Sequence, residues 1–328
     1  MSRAPNLRVG YHASHEQYAP SRLLELVRRA DQAGFASGMC SDHFHPWSDA
    51  QGESGFAWSW LGAALQATSL SFGVVTIPGG WRYHPAIIAQ ASATLAEMFP
   101  GRFWIAPGSG EALNEHIVGR HWPHKAERNA RLQEACEIIR ALWAGETVTH
   151  DGLIRIEEAK LYSRPETPPL IVGAALSEET AEWMGGWADG LITIVGEKES
   201  MQGIIDAFRR GGGEGKPIHL QAQLSFAKTD EEALKGAWEQ WRSVMFPSPV
   251  LSDLRMPAQF DAVGESVRPE DVKGKMRISS DPEQHLEWLM GDVEMGFEEI
   301  NIHCVHRGEQ ERFIDVFGER VVPQLMKG

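Results

Sequence analysis

Short runs of apolar and β-branched residues alternate along the chain with longer stretches in which apolar residues recur at helical spacing. The first such pair is an apolar run at residues 7–11 followed, after Pro20, by a helical pattern at residues 21–30. The helical pattern stops before Gly34, and glycine is a common residue at the end of a helix. This alternation predicts βαβ units around a parallel sheet.

The same alternation continues along the chain and predicts eight strands, each followed by a helix. The predicted strands are residues 7–11, 37–41, 71–77, 103–107, 170–174, 190–195, 218–226 and 299–304. The helices predicted after the first one are residues 57–68, 85–98, 125–144, 177–187, 199–211, 230–242, 283–295 and 309–320. Eight strand–helix pairs are typical of a closed (β/α)8 TIM barrel, which is an α/β fold.

Two segments interrupt this alternation and are interpreted as insertions. The first, at about residues 146–165, contains an Asp-Gly turn between two alternating runs, which predicts a β-hairpin at residues 148–156. The second, at about residues 246–275, contains four prolines and little periodicity, which predicts a long loop that covers one end of the barrel. Because no internal repeat or interdomain linker is apparent, residues 1–328 are expected to form one domain.

Composition and charge limit the classes of partner. The chain has 328 residues, of which 42% are hydrophobic, and a formal net charge of −14. A negative surface repels nucleic acid and anionic membranes, and no apolar run approaches the roughly 18 residues that a membrane span requires. Cys40, Cys136 and Cys304 are far apart in the sequence, which favours reduced, buried thiols over disulfides. We therefore expect a protein of the reducing cytoplasm that acts on a small molecule.

Chemically capable side chains follow the predicted strands. In barrels of this type the active site is built from the loops at the carboxyl ends of the strands. Asp42, His43 and Trp47 follow the second predicted strand, and Glu111 follows the fourth, after the Gly-Ser-Gly stretch at residues 108–110. Glycine lets a backbone come close to a ligand, so this stretch places a carboxylate beside a ligand-accessible backbone. We expect the loops after the first four strands to converge on one mouth.

The sequence lacks the standard phosphate-loop and zinc motifs. Residues 107–113 have no third glycine of a dinucleotide fingerprint, and Gly215-Lys216 is followed by Pro217 instead of the Ser or Thr of a nucleotide-binding loop. There is no His-Glu-x-x-His pattern and no cysteine pair at zinc spacing. A cofactor is therefore not held by either standard phosphate loop.

Four stretches together resemble one known family. They are residues 7–20 (LRVGYHASHEQYAP), 41–47 (SDHFHPW), 81–90 (WRYHPAIIAQ) and 108–115 (GSGEALNE). Over almost its whole length the chain is similar to the luciferase-like flavin and deazaflavin oxidoreductases. Within them it resembles the branch that contains the F420-dependent glucose-6-phosphate dehydrogenases. The second and fourth stretches make this resemblance specific.

The resemblance implies a homodimeric barrel protein that holds a flavin-type ring across its mouth. It implies that His43 is the acid/base near the reacting carbon and that Glu111 is a proton partner beside the ring. Trp47 is expected to form a wall of the substrate pocket, and the bond between Val75 and Thr76 is expected to be a cis peptide that supports the ring. The residues expected to contact the cofactor are Asp42, Glu16, Val75, Thr76, Gly108, Ser109, Gly110, Ala174 and Ala175.

The chemistry of two of these side chains agrees with their implied roles. Hydride transfer requires a proton transfer nearby, and histidine, with an unperturbed pKa of about 6.5, suits transfer in either direction near neutrality. His43 meets that requirement. Because burial raises the pKa of a carboxyl group, Glu111 beside a reduced ring is suited either to donate a proton or to act as a charge partner.

Several positions differ from those of the glucose-6-phosphate dehydrogenases. Where those enzymes have Thr and Lys after the sixth strand, this chain has Ile194 and Glu197. Their later arginine falls at Met276, beside Arg277. A glutamate in place of a lysine repels a phosphate, so glucose 6-phosphate is not the expected substrate.

Two further differences concern the cofactor. Residues 78–80 (Pro-Gly-Gly) stand where the dehydrogenases have a Thr-Pro-Thr pattern, and residues 174–178 (Ala-Ala-Leu-Ser-Glu) replace a Gly-Gly-Pro turn. Both changes fall at expected F420 contacts. The sequence therefore favours FMN as the cofactor, with F420 as the alternative.

Other functions fit some of the same residues. A flavin-dependent monooxygenase, in which the ring reacts with oxygen, belongs to the same class of enzyme. A metal-dependent barrel hydrolase would take its ligands from Asp42, His43, His45 and Glu111, although adjacent residues of an extended strand point to opposite faces. A flavin-binding protein without catalysis would not require His43 and Glu111. Asp42 is also explained as a loop cap, and Arg82 as the partner of an acid across the mouth.

Overall fold

Eight parallel strands close into a barrel in the computed structural model, which describes residues 7–327. The strands are β1 (Arg8–Ala13), β2 (Ser37–Ser41), β3 (Ser71–Thr76), β4 (Phe103–Pro107), β5 (Val148–Asp151), β6 (Arg155–Ala159), β7 (Leu170–Ala174), β8 (Gly190–Ile194), β9 (Ile218–Ser225), β10 (Arg277–Ile278) and β11 (Glu299–Cys304). Around the barrel their order is β1, β2, β3, β4, β7, β8, β9 and β11, and β11 pairs with β1 to close the ring. The predicted (β/α)8 barrel is confirmed.

Helices surround the strands and provide the outer layer of the core. They are α1 (Pro20–Gln32), α2 (Ala57–Ala67), α3 (Pro85–Met98), α4 (Ala112–Glu115), α5 (Lys125–Ala144), α6 (Glu178–Gly185), α7 (Lys198–Phe208), α8 (Asp230–Trp241), α9 (Ser248–Leu251), α10 (Pro257–Gly264), α11 (Pro269–Lys273), α12 (Pro282–Glu294), α13 (Gln310–Arg320) and α14 (Val322–Met326). Within residues 7–327, no helix is long and apolar enough to cross a membrane. The three cysteines are buried and unbridged, as expected.

The predicted elements agree closely with the observed ones. Strands β2, β4, β7 and β11 and helices α3 and α5 have the predicted bounds, and the other predicted elements differ by a few residues at their ends. The helix predicted at residues 199–211 ends earlier, at Phe208, and continues as a π-helical turn at Arg209–Gly213 in which Gly212 has a φ of 109°. The predicted hairpin is present, with β5 and β6 paired antiparallel.

Residues 246–275, named here the cap segment, are not the irregular loop that the sequence predicted. They contain three short helices, α9, α10 and α11, each with a proline in its first turn. The prediction treated these prolines as breakers. Proline has no N–H to donate and a fixed φ, and both properties suit the first turn of a helix, so here the prolines begin helices.

The cap segment lies against loops at the carboxyl ends of two strands. The carbonyl oxygen of Ser252 accepts hydrogen bonds from the backbone N–H of Ala112 at 2.9 Å and from Nε1 of Trp122 at 3.1 Å. The backbone N–H of Asp49 donates to Oδ2 of Asp261 at 3.0 Å. These bonds attach the segment to the loops after β2 and β4, so it covers part of the mouth, as predicted.

The expectation of a cis peptide between Val75 and Thr76 was wrong. All peptide bonds among residues 7–327 are trans. The carbonyl oxygen of Val75 accepts from Asp42 N–H on the β2 side, and that of Thr76 accepts from Gly108 N–H on the β4 side. Successive carbonyls that point to opposite neighbours are the pattern of a regular trans strand, which β3 keeps to its last residue.

The interior of the barrel has two chemically different sides. One, named here the apolar half, is a buried cluster on β2, β4, β7 and β8 together with the partly exposed Val75 and Ala174, which pack against it. The buried members are Met39, Trp104, Ala106, Val172 and Ile192. The other, named here the polar column, comes from alternate residues of three adjacent strands, β1, β9 and β11. It consists of Arg8, His12, His219, Gln221, Glu299, Asn301 and His303.

Candidate active site

Three titratable side chains from three loops converge at the mouth of the barrel. Glu16 follows β1, His43 follows β2 and Glu111 follows β4. The Nδ1 atom of His43 lies 3.6 Å from Oε1 of Glu16. Glu16 is only 3% exposed, and its other carboxylate oxygen accepts a hydrogen bond from Ser14 Oγ at 2.9 Å. The charge of Glu16 acts on Glu111, so the three side chains form one electrostatic group.

Burial makes the proton affinities of these groups unusual. It raises the pKa of Glu16 to about 7. Burial, together with the nearby charge of Glu16, raises the pKa of Glu111 to about 8 against the opposing effect of Arg128. Burial and the positive charge of Arg82 lower the pKa of His43 to about 4. At neutral pH the site therefore has a neutral imidazole that can accept a proton and a protonated carboxyl that can donate one.

Aromatic rings form one wall beside His43. The ring of Trp47 lies 5.0 Å from that of His43, measured between centroids. Phe260, which α10 of the cap segment contributes, packs edge-on against Trp47 at 5.3 Å. The Nδ1 atom of His43 is buried and has no hydrogen-bond partner among the described residues. His43 therefore lies against an aromatic wall with its buried Nδ1 atom next to Glu16.

Asp42 is the most heavily bonded predicted residue. Its Oδ2 atom accepts from Trp58 Nε1 at 3.1 Å and from Thr76 Oγ1 at 3.0 Å. Its Oδ1 atom accepts from Tyr83 Oη at 3.1 Å and from Arg82 Nη1 at 3.4 Å. Donors from α2, β3 and the loop before α3 thus hold the carboxylate in place. Its contact with a cofactor stays a prediction.

Arg82 connects two buried acids, which confirms its interpretation as the partner of an acid across the mouth. Besides Asp42, its Nε atom lies 3.4 Å from Oε1 of Glu115, and its backbone N–H donates to Oε2 of Glu115 at 2.9 Å. Burial raises the pKa of Glu115 to about 7 although Arg82 opposes this effect. The guanidinium faces two buried acids, although its Nε atom makes no hydrogen bond among the described residues, so we assign it to holding the loops together.

The base of the mouth suits a flat aromatic ring. Val75 and Ala174 are partly exposed and cover the apolar half. Gly108 is also partly exposed, and a side chain built on it would meet no atom closer than 4.0 Å. An apolar base with open backbone beside it and an aromatic wall is the kind of surface that accepts a flavin-type ring.

The remaining predicted cofactor contacts differ in their access to the mouth. Ser109 and Gly110 are partly exposed on the same loop as Gly108. Gly110 has a φ of 89°, and a side chain there would lie 2.9 Å from the ring of Trp122, so only glycine fits. The side chains of Thr76 and Ala175 are buried, and that of Thr76 is bonded to Asp42. Direct contact of these two side chains with a cofactor has no support in the geometry.

Sequence reasoning missed several residues near the site. His12, His15 and His303 are at most 3% exposed, and both ring nitrogens of His15 have no partner among the described residues. The side chain of Arg128 is 7% exposed, and its guanidinium lies over the ring of Trp122 at 4.8 Å. The alternation of side chains along β1 and β11 places His12 and His303 on a shared face of their strands, which is the signal that could have identified them.

The alternative metal site is not formed. Among residues 7–327, no group of three or more His, Cys, Asp or Glu side chains is arranged to hold a metal ion. His45, one of its expected ligands, makes a hydrogen bond through Nδ1 to the carbonyl oxygen of Leu113 at 2.9 Å and stacks on His116. His84 accepts from the backbone N–H of Ala86 and caps α3, so it has a structural role.

Comparison with known proteins identifies the family of this site. The model of the luciferase-like monooxygenase family matches residues 6–299. The chain is 33% identical to a protein of Beutenbergia cavernae named F420-dependent glucose-6-phosphate dehydrogenase, over 97% of both chains. It is 34% identical to a protein of the same name from Kribbella flavida, over 98% of this chain and 99% of the relative.

A solved structure resembles the whole molecule. It is described as an F420-dependent secondary alcohol dehydrogenase in complex with an F420–acetone adduct. The two structures superpose with a TM-score of 0.88 and 28% sequence identity, over 98% of this chain and all of the other. The fold and the arrangement of elements are therefore those of an enzyme family.

Proposed function

This chain belongs to the luciferase-like monooxygenase family and is an oxidoreductase, and from that premise we propose that it transfers a hydride between coenzyme F420 and a small, uncharged alcohol or carbonyl compound. The observation that carries the proposal is the group formed by Glu16, His43 and Glu111 at the mouth. This group supplies a proton acceptor and a proton donor beside the apolar surface at the bottom of the mouth. Assembly as a homodimer in the cytoplasm stays a prediction.

The choice of F420 reverses the preference that the sequence gave for FMN. Relatives at 33% and 34% identity over nearly the whole chain carry F420 in their names, as does the similar solved structure at 28% identity. The differences at residues 78–80 and 174–178 weigh less than this agreement, because backbone groups can replace side chains as phosphate donors. FMN is the alternative cofactor.

The proposed substrate is uncharged because the expected phosphate clamp is missing. Ile194 is the last residue of β8, and Glu197 lies in the loop after it. Neither provides a positive charge. Arg277, the nearest candidate for the remaining cation, makes two hydrogen bonds to Asp292 on α12, at 2.5 and 2.8 Å. An arginine paired in this way is not free to bind a sugar phosphate. An alcohol or ketone, as in the description of the similar solved structure, fits the aromatic wall of the site.

The protein's side chains have distinct tasks in this reaction. When bound, F420 supplies a ring carbon that accepts a hydride. The neutral imidazole of His43 takes the proton of the substrate hydroxyl as the hydride leaves, and Glu16 beside Nδ1 stabilises the positive charge that results. The protonated carboxyl of Glu111 provides the second proton that completes a two-electron reduction. Trp47 and Phe260 exclude water on the side where the substrate binds.

The proposal is tested by an anaerobic assay with purified protein and F420. The substrates are isopropanol, cyclohexanol and glucose 6-phosphate at equal concentrations, and the loss of the absorbance of oxidised F420 is recorded. We expect turnover with an alcohol and at most about one hundredth of that kcat/KM with the sugar phosphate, the ratio that a difference of about 2.7 kcal/mol gives. Preference for the sugar phosphate would contradict the proposed substrate class, and oxygen consumption with reduced FMN would favour a monooxygenase.

A further inference from the structure

The polar column has no role in the proposed reaction, although it occupies three of the eight barrel strands. Barrels of this fold usually fill the interior with layers of Val, Ile and Leu. Here Glu299 and Asn301 have no measurable exposure, and His12, His219 and His303 are at most 3% exposed. Buried ionisable side chains lower stability compared with well-packed apolar ones. A purpose other than packing is therefore needed to explain the column.

Side-chain contacts and strand register together place the members of the column beside one another from one end of the barrel to the other. At the floor, Nη2 of Arg8 lies 2.9 Å from Oε2 of Glu299, and Nδ2 of Asn301 donates to Oε1 of Glu299 at 3.0 Å. His219 is the register partner of Glu299 on the neighbouring strand. The next pair along these strands towards the mouth is Gln221 and Asn301. Each member thus has another member beside it on its own or the adjacent strand.

The upper part of the column reaches the active-site group. Gln221 Nε2 lies 3.5 Å from Nδ1 of His303, whose Nε2 atom donates to Oε1 of Gln17 at 3.2 Å. The rings of His303 and His12 stack with their centroids 4.1 Å apart. Burial, followed by the charges of His303, His15 and His43, lowers the pKa of His12 well below its usual value, so these rings lie within electrostatic range of one another. The column reaches the active-site loop through Gln17, which His303 contacts and which follows Glu16, the residue 3.6 Å from Nδ1 of His43.

Unpaired polar atoms line the same interior. The atoms without a hydrogen-bond partner among the described residues that face the interior include Nδ1 of His12, Oγ of Ser37, Nε1 of Trp104, Nδ1 of His219 and Oδ1 of Asn301. Buried polar atoms in native proteins are almost always satisfied, and ordered water is the usual partner when protein groups are lacking. Gly10 lets Asn301 pack against β1, because a side chain on residue 10 would lie 2.1 Å from Oδ1 of Asn301.

We propose that the polar column, with ordered water between its members, is a proton path from His43 to the amino-terminal face of the barrel. Its source of protons rests on the proposed function. The hydroxyl proton of the substrate passes to His43 and then along ordered water that His12, His303, Gln221 and Asn301 hold, to the floor, where Arg8 is 43% exposed. Glu111 regains the proton it gave up from solvent on the cap side. One proton thus leaves at the floor and one enters at the mouth, and no net charge accumulates.

The path has a function when the mouth is filled. Ring and substrate together cover His43, and the cap segment covers the loops after β2 and β4. Water at the mouth then has no access to the imidazole, whereas the opposite end of the column stays in contact with solvent through Arg8. The column lets His43 return to its neutral form before the product leaves.

Exchange of ring protons tests the path without cofactor or substrate. In protein labelled with 15N-histidine, nuclear magnetic resonance measures how fast ring N–H protons exchange with water. His219 in the column is compared with His285, which is 0% exposed outside the barrel and packs against Phe226 and Phe317. We expect exchange at His219 at least about tenfold faster, because water reaches it without opening of the fold. Equal rates would overturn the proposal.

Two matched variants test the use of the path in turnover. Asn301→Leu interrupts the column with a side chain of similar size, and Ile192→Leu places leucine in the apolar half as the control. With F420 and an alcohol, we expect Asn301→Leu to lower kcat about tenfold with little change in KM and a larger solvent isotope effect, since proton transfer becomes limiting. Added imidazole should restore part of kcat. Ile192→Leu should stay within about twofold of the wild type.

The outcomes separate this inference from the proposed function. Equal losses in both variants, or an Asn301→Leu enzyme as fast as the wild type, would overturn the path. If Asn301→Leu does not fold, Glu299→Gln interrupts the column near the floor and is judged by the same measurements. A wild type that neither binds F420 nor oxidises alcohols would contradict the proposed function, while the exchange at His219 would still decide whether water enters the column.

Discussion

The two sides of the barrel interior perform different tasks with the same strand geometry. The apolar half packs Trp104, Val172 and Ile192 without charge, and its upper members form the base of the mouth. The polar column, on the three adjacent strands, places histidine, glutamate and amide groups at equivalent inward positions. The contrast shows that one side of the interior is an apolar packed surface, whereas the other buries polar and ionisable groups.

The active-site group lies where these two sides meet. Glu16 follows β1 on the polar side, Glu111 follows β4 on the apolar side, and His43 follows β2 between them. In the proposed reaction, the ring on the apolar side and the proton transfer on the polar side are therefore brought together by the loops after β1, β2 and β4. The variants below change the group where the two sides meet, the apolar half, the polar column or the aromatic wall.

The largest effect is expected where the two sides meet. His43→Gln removes the proton acceptor but keeps the size of the side chain, and we expect kcat to fall by about 10²- to 10⁴-fold, since that is the usual contribution of a general base. F420 binding should be largely retained, because we assign Val75, Ala174 and Gly108 at the bottom of the mouth to holding the ring. Steady-state kinetics and a fluorescence titration measure the two quantities. A loss of less than threefold would remove His43 from the mechanism.

Stability should respond oppositely on the two sides. Trp104→Ala leaves a cavity among fully buried neighbours, and we expect the free energy of unfolding to fall by about 3–5 kcal/mol. Asn301→Leu replaces a buried amide that has an unpaired oxygen, so we expect a loss below about 1 kcal/mol or a gain. Urea unfolding followed by tryptophan fluorescence measures both. Equal losses would mean that the column contributes to packing as much as the apolar half does.

The pH dependence of stability should show the buried histidines and carboxyls separately. Burial lowers the pKa of His303 to about 3 and that of His219 below the usual 6.5. Below pH 6.5 the unfolded chain therefore binds more protons on these rings than the folded chain, and they make stability increase as pH rises towards 6.5. The pKa values of Glu16 and Glu111, raised to about 7 and 8 from 4.5, act in the opposite direction, because the folded state keeps protons that the unfolded state has lost.

Above pH 6.5 only the carboxyl effect remains. We therefore expect the free energy of unfolding to be highest near pH 6.5 and to decrease from there to about pH 8. Glu111→Gln should make this decrease shallower, and His303→Gln should make the rise below pH 6.5 shallower. Urea unfolding at half-unit steps of pH provides the data. A decrease of unchanged slope in Glu111→Gln would show that its carboxyl is already ionised at neutral pH.

The smallest effect is expected in the wall of the site. Phe260→Leu removes an edge-on ring contact with Trp47, which is worth about 0.5–1.5 kcal/mol. We expect the KM for the alcohol to rise by roughly two- to tenfold while kcat stays within about twofold, since the ring positions substrate without taking part in proton transfer. Steady-state kinetics at saturating F420 checks this. A lower kcat with unchanged KM would mean that the cap segment positions His43 instead.

Much of the fold could be predicted because its signals are local. Strand and helix periods, glycine stops and the Asp-Gly turn all act within a few residues, and they placed the barrel strands and the hairpin. The cap helices were missed because the same proline that breaks a helix interior also begins a helix. Local pattern does not separate these two cases.

The site was only partly predictable because its partners are distant in the sequence. The motifs identified His43 and Glu111, and the geometry places His43 3.6 Å from Glu16. The four donors to Asp42 come from three later parts of the chain, which no local pattern reveals. The alternation along β11 shows that Glu299, Asn301 and His303 share a face. Only closure of the barrel shows that this face is the interior.

The most direct test of the central claim is an equilibrium titration of the cofactor-free protein with F420 and, in parallel, with FMN. Quenching of tryptophan fluorescence reports binding, since Trp47 lies at the wall of the mouth. We expect saturable binding of F420 at one site per chain, at least about tenfold tighter than that of FMN, which corresponds to about 1.4 kcal/mol. Tight binding of FMN with no saturation by F420 would contradict the proposed cofactor, and binding of neither would contradict the assignment of this mouth as a site for a flavin-type ring.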